Sequence, residues 1–176
     1  MIISRHLILL LVFLAAVSSL PAKFGLADEI KQSNNNEQPL HVEADTAEFD
    51  DKTGISVYRG KVRVTQGNML LTGDHVTVVA PHRRLEKIIS RGEPSTFHQT
   101  TSDGEPLDAQ AEYMEYNAKI KKITLLKKAS LHQGKNSFSS ERIEYQILTK
   151  VVDAGDPKGG DRVQMTILPN TIDLNQ

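Results

Sequence analysis

VTQGNMLLTGDHVTV, residues 64–78, is answered sixty-seven residues later by LHQGKNSFSSERIEY, residues 131–145. In each, a strand-like run meets a Gln-Gly turn, Gln66-Gly67 or Gln133-Gly134, and a second run leaves it, the pattern of a β-hairpin. Extended outward without a gap, residues 39–79 lie over 106–146, with identities at Pro39/Pro106, Leu40/Leu107, Ala44/Ala111, Glu48/Glu115, Lys52/Lys119, Gln66/Gln133 and Gly67/Gly134. Phe49/Tyr116, Asp50/Asn117, Asp74/Glu141 and Val76/Ile143 are close substitutions. With Lys61/Lys128 the identities come to eight in 41 positions, which are few, but the apolar set Tyr58, Val62 and Val64 also recurs, as Leu125, Ala129 and Leu131. The hairpin belongs to a duplicated unit.

Each unit is a run of short strands. In YRGKVRVT, Tyr58, Val62 and Val64 alternate with Arg59, Lys61 and Arg63, giving one dry and one wet face. Strands are predicted over 39–49, 54–65, 69–79 and 85–99, then 106–116, 120–132, 136–148, 150–154 and 162–168. Turn residues support breaks at 50–54, 66–68, 81–83, 92–94, 103–106 and 155–157. Short sequential strands with hairpin connections make an all-β, antiparallel architecture, and two similar repeats stacked along one axis give an elongated sandwich or jelly roll. The inward positions are small or middling (Leu40, Val42, Ala44, Val57, Val62, Val64, Ala109, Ala111, Ala129). Such an interior suits a packed core, the commoner case, or a trough left open for an apolar ligand; composition does not separate the two.

The ends have a different character. Arg5 and His6 precede LILLLVFLAAVSSL, and Gly25 and Ala27 stand where a signal peptidase requires small residues, so residues 1–27 read as a cleavable signal peptide. The apolar stretch is shorter than the roughly 20 residues of a spanning helix; an uncut anchor is the alternative. Residues 28–38, DEIKQSNNNEQ, read as a disordered lead, 39–169 as the β domain and 170–176 as a flexible tail. Without Arg5 and Lys23, 19 basic side chains face 22 acidic ones, a net charge of -3, which gives no reason to expect nucleic acid. With no cysteine there is neither a disulfide nor a thiol to carry a lipid after the signal.

No catalytic constellation emerges: the chain has no Gly-x-Ser-x-Gly elbow, no His-Glu-x-x-His and no phosphate loop, and no enzyme, cofactor or metal site is expected. Glu43, Asp45, Glu48, Asp50 and Asp51 lack the spacing and glycine of a calcium loop and read as a solvated strand face entering an acidic turn. Arg83 and Arg84 read as a charged hairpin tip. A structural β module with a solid core, and a polysaccharide-active enzyme using Glu43, Asp45 or Glu48, are the rival readings.

QPLHVEADTAEFDD, YRGKVRVTQGN, GEPSTFHQ, GEPLDAQAEYMEYN, SERIEY and RVQMTILP follow in order and spacing the pattern of a known family. The chain resembles the OstA-like periplasmic lipopolysaccharide transport proteins over nearly all of residues 38–169. The resemblance implies a twisted, open β-jelly roll in the periplasm whose interior shields lipopolysaccharide acyl chains. It implies head-to-tail self-association, an inner-membrane partner of related fold, and the periplasmic domain of an outer-membrane translocon. By position in the family pattern, the groove lining includes Leu40, Val42, Phe49, Val62, Val64, Val76, Phe97, Met114 and Tyr116. An inner-membrane-anchored partner of the same fold is the alternative identity. Unpaired edges at Leu40–Phe49 and Arg162–Leu168 are where copies are expected to join.

Overall fold

The computed structural model describes residues 38–156, 158–160 and 162–168. The expected signal, the lead up to residue 37 and the tail 170–176 lie outside the described residues. Ten strands follow in order: β1 (Leu40–Glu43), β2 (Thr46–Asp50), β3 (Ile55–Gln66), β4 (Met69–Val79), β5 (Lys87–Thr100), β6 (Pro106–Asn117), β7 (Lys122–Gln133), β8 (Asn136–Gln146), β9 (Val151–Ala154) and β10 (Gln164–Thr166). They form one antiparallel sheet in which β3 to β8 pair in sequence order; β1 and β2 share β3 at one edge, and β9 and β10 share β8 at the other.

The duplication holds at the level of register. Adding 67 to both members of the ten β3–β4 pairs, from Ile55↔Val79 to Gln66↔Met69, gives the ten β7–β8 pairs, from Lys122↔Gln146 to Gln133↔Asn136. The same shift carries the nine pairs of β1 and β2 with β3 onto the nine of β6 with β7. By their partners on β4 and β8, Val151–Ala154 answer to 87–90 and Gln164–Thr166 to 96–98, so β9 and β10 together stand for β5. Two-residue turns, Gly67-Asn68 and Gly134-Lys135, close the matching hairpins, with the glycines at φ 58° and 56°. A tight reversal needs that left-handed backbone, and glycine adopts it without a Cβ clash.

Midway along, the strand pairs break register: between Arg59 and Val62, Thr72 and His75, Arg91 and Ser95, Gln110 and Tyr113, and Leu126 and Ala129. A bulge bends its strand, and a row of them creases the sheet into two arms. Phe97 lies opposite Ala109, and Tyr116 is a further ~23 Å along an extended β6. Their ring centroids are nonetheless 5.7 Å apart, so the arms face each other. Small buried residues line the crease (Gly73, Ser90, Ser95, Ala111, Ala129, Ser140), where converging backbones leave least room. Larger side chains such as Leu71, Ile88, Ile123 and Leu131 fill the wider space beyond it.

Four expectations are corrected. The strand predicted over 39–49 is broken at Ala44-Asp45, where the edge detours round the β3 bulge: the Asp45 N–H donates to the Gly60 carbonyl at 3.1 Å, and Gly60 has φ 82°. The equivalent Ala111-Glu112 stays within β6 because β5 holds its other side. Gly92-Glu93-Pro94, expected as a turn, is a bulge inside β5. Val57 faces outward, since Ser56 and Tyr58 alternate inward with Val62 and Val64. The last strand is Gln164–Thr166 and not all of 162–168.

Candidate functional site

The two inner faces of the arms make one continuous interior. Val62, Val64 and Phe97 project from the arm that carries the Gly67 and Gly134 turns, the first arm; Val76, Met114 and Tyr116 project from the second. All six are buried within one apolar core. Leu40 and Val42 are half-buried and pack against it from the β1 edge. Phe49 stands apart at the end of β2, 65% exposed. The structure thus brings eight of the nine residues to one interior and leaves the ninth on the sheet edge.

Phe49 and Tyr116 are equivalent by the repeat, yet Tyr116 is 2% exposed. The difference is a neighbour: Ile88 of β5 lies opposite Tyr116, whereas β2 pairs only with β3 among the described strands. Burial also pushes the Tyr116 hydroxyl up to about 12, because the phenolate would lose its water. The Lys121 ammonium lies 3.5 Å from that hydroxyl, and burial draws the Lys121 pKa down.

The charged groups sit on the outer face and at the rims, while the buried Ser90, Ser95 and Ser140 hydroxyls lie in the crease. Arg142 donates to Asp153 and pairs with Glu144, each at 2.8 Å, and Lys122 reaches Glu144 at 3.1 Å. The Asp50 carboxylate accepts the Lys52 N–H at 2.9 Å; hydrogen bonds from Thr53 and Lys52 hold its pKa below the usual range. Arg83 and Arg84 are exposed at the β4–β5 connection. Among the described residues no group of three His, Asp or Glu side chains gathers as metal ligands, and no helix is long and apolar enough to cross a membrane.

The free strand ends form two lips. Turn 101–105 belongs to the first arm and turn 147–150 to the second, and the lips meet where Lys150 pairs with Asp103 and, at 3.4 Å, with Glu105. These residues escaped the sequence reading, because nothing local announces a contact across 45 or 47 positions. Nearby, a cleft of about 710 Å³ opens between Glu105, the Gly134 turn and the exposed Ile167 and Leu168; none of the nine lining residues borders it.

A family model described as LptA/(LptD N-terminal domain) LPS transport protein matches residues 41–151. The lipopolysaccharide export system protein LptH of Pseudomonas aeruginosa is 34% identical over 167 residues, 87% of this chain and 95% of that protein. The lipopolysaccharide export system protein LptA of Escherichia coli K12 is 28% identical over 80% of this chain and 76% of that protein. The crystal structure of P. aeruginosa LptH, described as the LptA-homologous periplasmic component of the lipopolysaccharide transport device, superposes with a TM-score of 0.69 at 35% identity, covering 77% of this chain and 99% of that one. The register-matched repeats, the creased β-jelly roll and these likenesses have one explanation: the chain belongs to the LptA/LptD N-terminal domain family of lipopolysaccharide transport proteins.

Proposed function

We propose that this chain is a non-enzymatic periplasmic carrier that shelters lipopolysaccharide acyl chains between its two arms and passes them along a file of copies from inner to outer membrane. The observation that carries this reading is the crease: it folds the apolar face of both repeats onto itself, so the interior runs from one sheet edge to the other. Leu40, Val42, Val62, Val64, Val76, Phe97, Met114 and Tyr116 are the proposed lining, and Phe49 joins them where a second copy extends the sheet. Side chains fill the interior, so loading parts the arms and replaces contacts such as Phe97–Tyr116 with acyl chain. At about 0.8 kcal/mol per buried methylene, a chain of about ten returns about 8 kcal/mol to offset that opening.

Residues 1–27 serve as the export signal, cut after Ala27. The proposed partners are lipopolysaccharide, further copies of the chain, an inner-membrane protein of related fold and the periplasmic domain of an outer-membrane translocon, with the energy for directional movement supplied by a partner. A photoreactive residue at Val42 is expected to crosslink to lipopolysaccharide, and the same residue at Glu43, on the opposite face, is not. Equal labelling at the two positions would defeat the carrier reading. The packing of Phe97 on Tyr116 across the interior favours one rival, a solid structural module; purified protein that yields no lipid to organic solvent would support that rival.

A further inference from the structure

We propose that Lys150, with Asp103 and Glu105, forms a clasp between the lips of the creased sheet, and that the polar part of the ligand passes through the seam only when this clasp opens. The inference rests on the carrier reading. Along an extended β6, the turn holding Asp103 and the opposite end of the sheet are ~40 Å apart. Lys150 bonds to Asp103 because the crease brings those ends together. Among the described residues, the other ion pairs join neighbours within one arm or across the crease, as Lys87–Glu115 and Lys128–Glu112 do. Lys150 reaches from one arm to the other.

Both halves of the clasp are held in place. The Thr101 hydroxyl lies 2.6 Å from the Asp103 carboxylate and 2.9 Å from the Glu105 carbonyl, which also accepts the Thr101 N–H at 2.9 Å. Lys150 ends its turn at φ 56°, a backbone that fixes where its side chain leaves the chain. Nearby lies Tyr145, fully buried, its hydroxyl without a hydrogen-bond partner among the described residues and close enough to feel the Lys150, Asp103 and Glu105 charges. A buried hydroxyl left unpaired is unfavourable, so parting the lips relieves Tyr145 even as it breaks the ion pairs. The seam is therefore poised between closed and open.

An amphiphile whose tails lie inside and whose headgroup lies in water is one covalent molecule, and its linkage must occupy the seam. A headgroup moving lengthwise meets the clasp. The chain has no cysteine, so Lys150→Cys with Asp103→Cys can be bridged at one place by a reducible dithiol-reactive linker. With lipopolysaccharide fluorescently labelled on its sugar as probe, the bridged protein is expected to load at least tenfold more slowly than the same protein after reduction. Lys150→Asn, which tolerates left-handed backbone and removes the ammonium, is expected to load severalfold faster than the unsubstituted chain. Equal loading by bridged and reduced protein, or by Lys150→Asn and the unsubstituted chain, would overturn the clasp and leave the carrier reading standing. An unsubstituted chain that loads no lipopolysaccharide would overturn both.

Discussion

Tyr145 buries its whole ring, yet its hydroxyl has no hydrogen-bond partner among the described residues. Leaving a buried hydroxyl unpaired costs about 1–3 kcal/mol, so Tyr145→Phe is expected to raise stability by about 1 kcal/mol in urea unfolding; a loss of that size would show that the hydroxyl is bonded in solution. At the lip above it, hydrogen bonding from Lys150 and then from Thr101 lowers Asp103 from 3.8 to about 2. Because the folded value lies below the ordinary one, the charge that closes the clasp is present above that range and is lost as pH falls through about 2. Carboxyl NMR titration should find Asp103 near that value and find it moved back toward 3.8 in Lys150→Asn. An unmoved titration would detach Asp103 from Lys150. Neither residue was legible in the sequence: Tyr145 reads there as one more apolar position of a strand, and Lys150 as the first position of the strand expected over 150–154, which the structure begins at Val151.

The strands and their hairpins were legible because alternation and Gly67 or Gly134 are local signals, read from a few neighbouring residues. The crease was not, because no residue type marks it: β4 passes it at Gly73-Asp74, β5 at Gly92-Glu93-Pro94 and β7 at Lys127-Lys128, whose φ values are 67° and 50°. Its trace lies in parity. In β4 the buried positions are Met69, Leu71 and Gly73, then Val76 and Val78, a switch from odd to even that an unbroken period of two would have turned into an exposed Val76. Val76, Phe97, Met114 and Tyr116 accordingly came from the family pattern, whereas Val62 and Val64 were also read as inward from alternation along their strand. The crease itself can be tested at Gly73. An added Cβ there would press on the Ser90 hydroxyl and stand 3.0 Å from the Arg91 carbonyl and the Ser95 hydroxyl. Gly73→Ala is expected to destabilise by about 1–3 kcal/mol. Gly160→Ala, whose added Cβ meets among the described residues only the Asp156 side chain, at 4.0 Å, should stay within about 0.5 kcal/mol. Equal values for the two would mean that the arms do not close tightly at the crease.

For the whole molecule, the repeat makes a prediction about the space between copies. Inside the chain, the second repeat joins the first through β5 and β6, with Phe97 opposite Ala109 and Ile88 opposite Tyr116. The outer edges carry the same two surfaces: β9 and β10 occupy the place of β5, and β1 and β2 the place of β6. If one copy follows another by the operation that relates the repeats, Met165 of the leading edge falls opposite Val42 of the next copy, and Val152 opposite Phe49. Those edges hold exposed apolar side chains, Phe49 at 65%, Met165 at 58% and Val151 at 58%, and unpaired strand edges invite another strand. The register also sets Asp153 against Glu48, an opposition tempered by Arg142 on one side and Arg59 on the other. Facing antiparallel positions lie about 4.5–5.5 Å apart between Cα atoms, within the span of a disulfide. A chain carrying Met165→Cys and Val42→Cys is therefore expected to oxidise into a ladder of covalent multimers that disappears on reduction. Met165→Cys with Glu43→Cys, one residue out of register and pointing to the other face, should remain largely monomeric on the same gel. A stronger ladder from the mismatched pair would mean that copies meet in a register different from the one the repeats use, and the interior would not pass unbroken from one copy to the next.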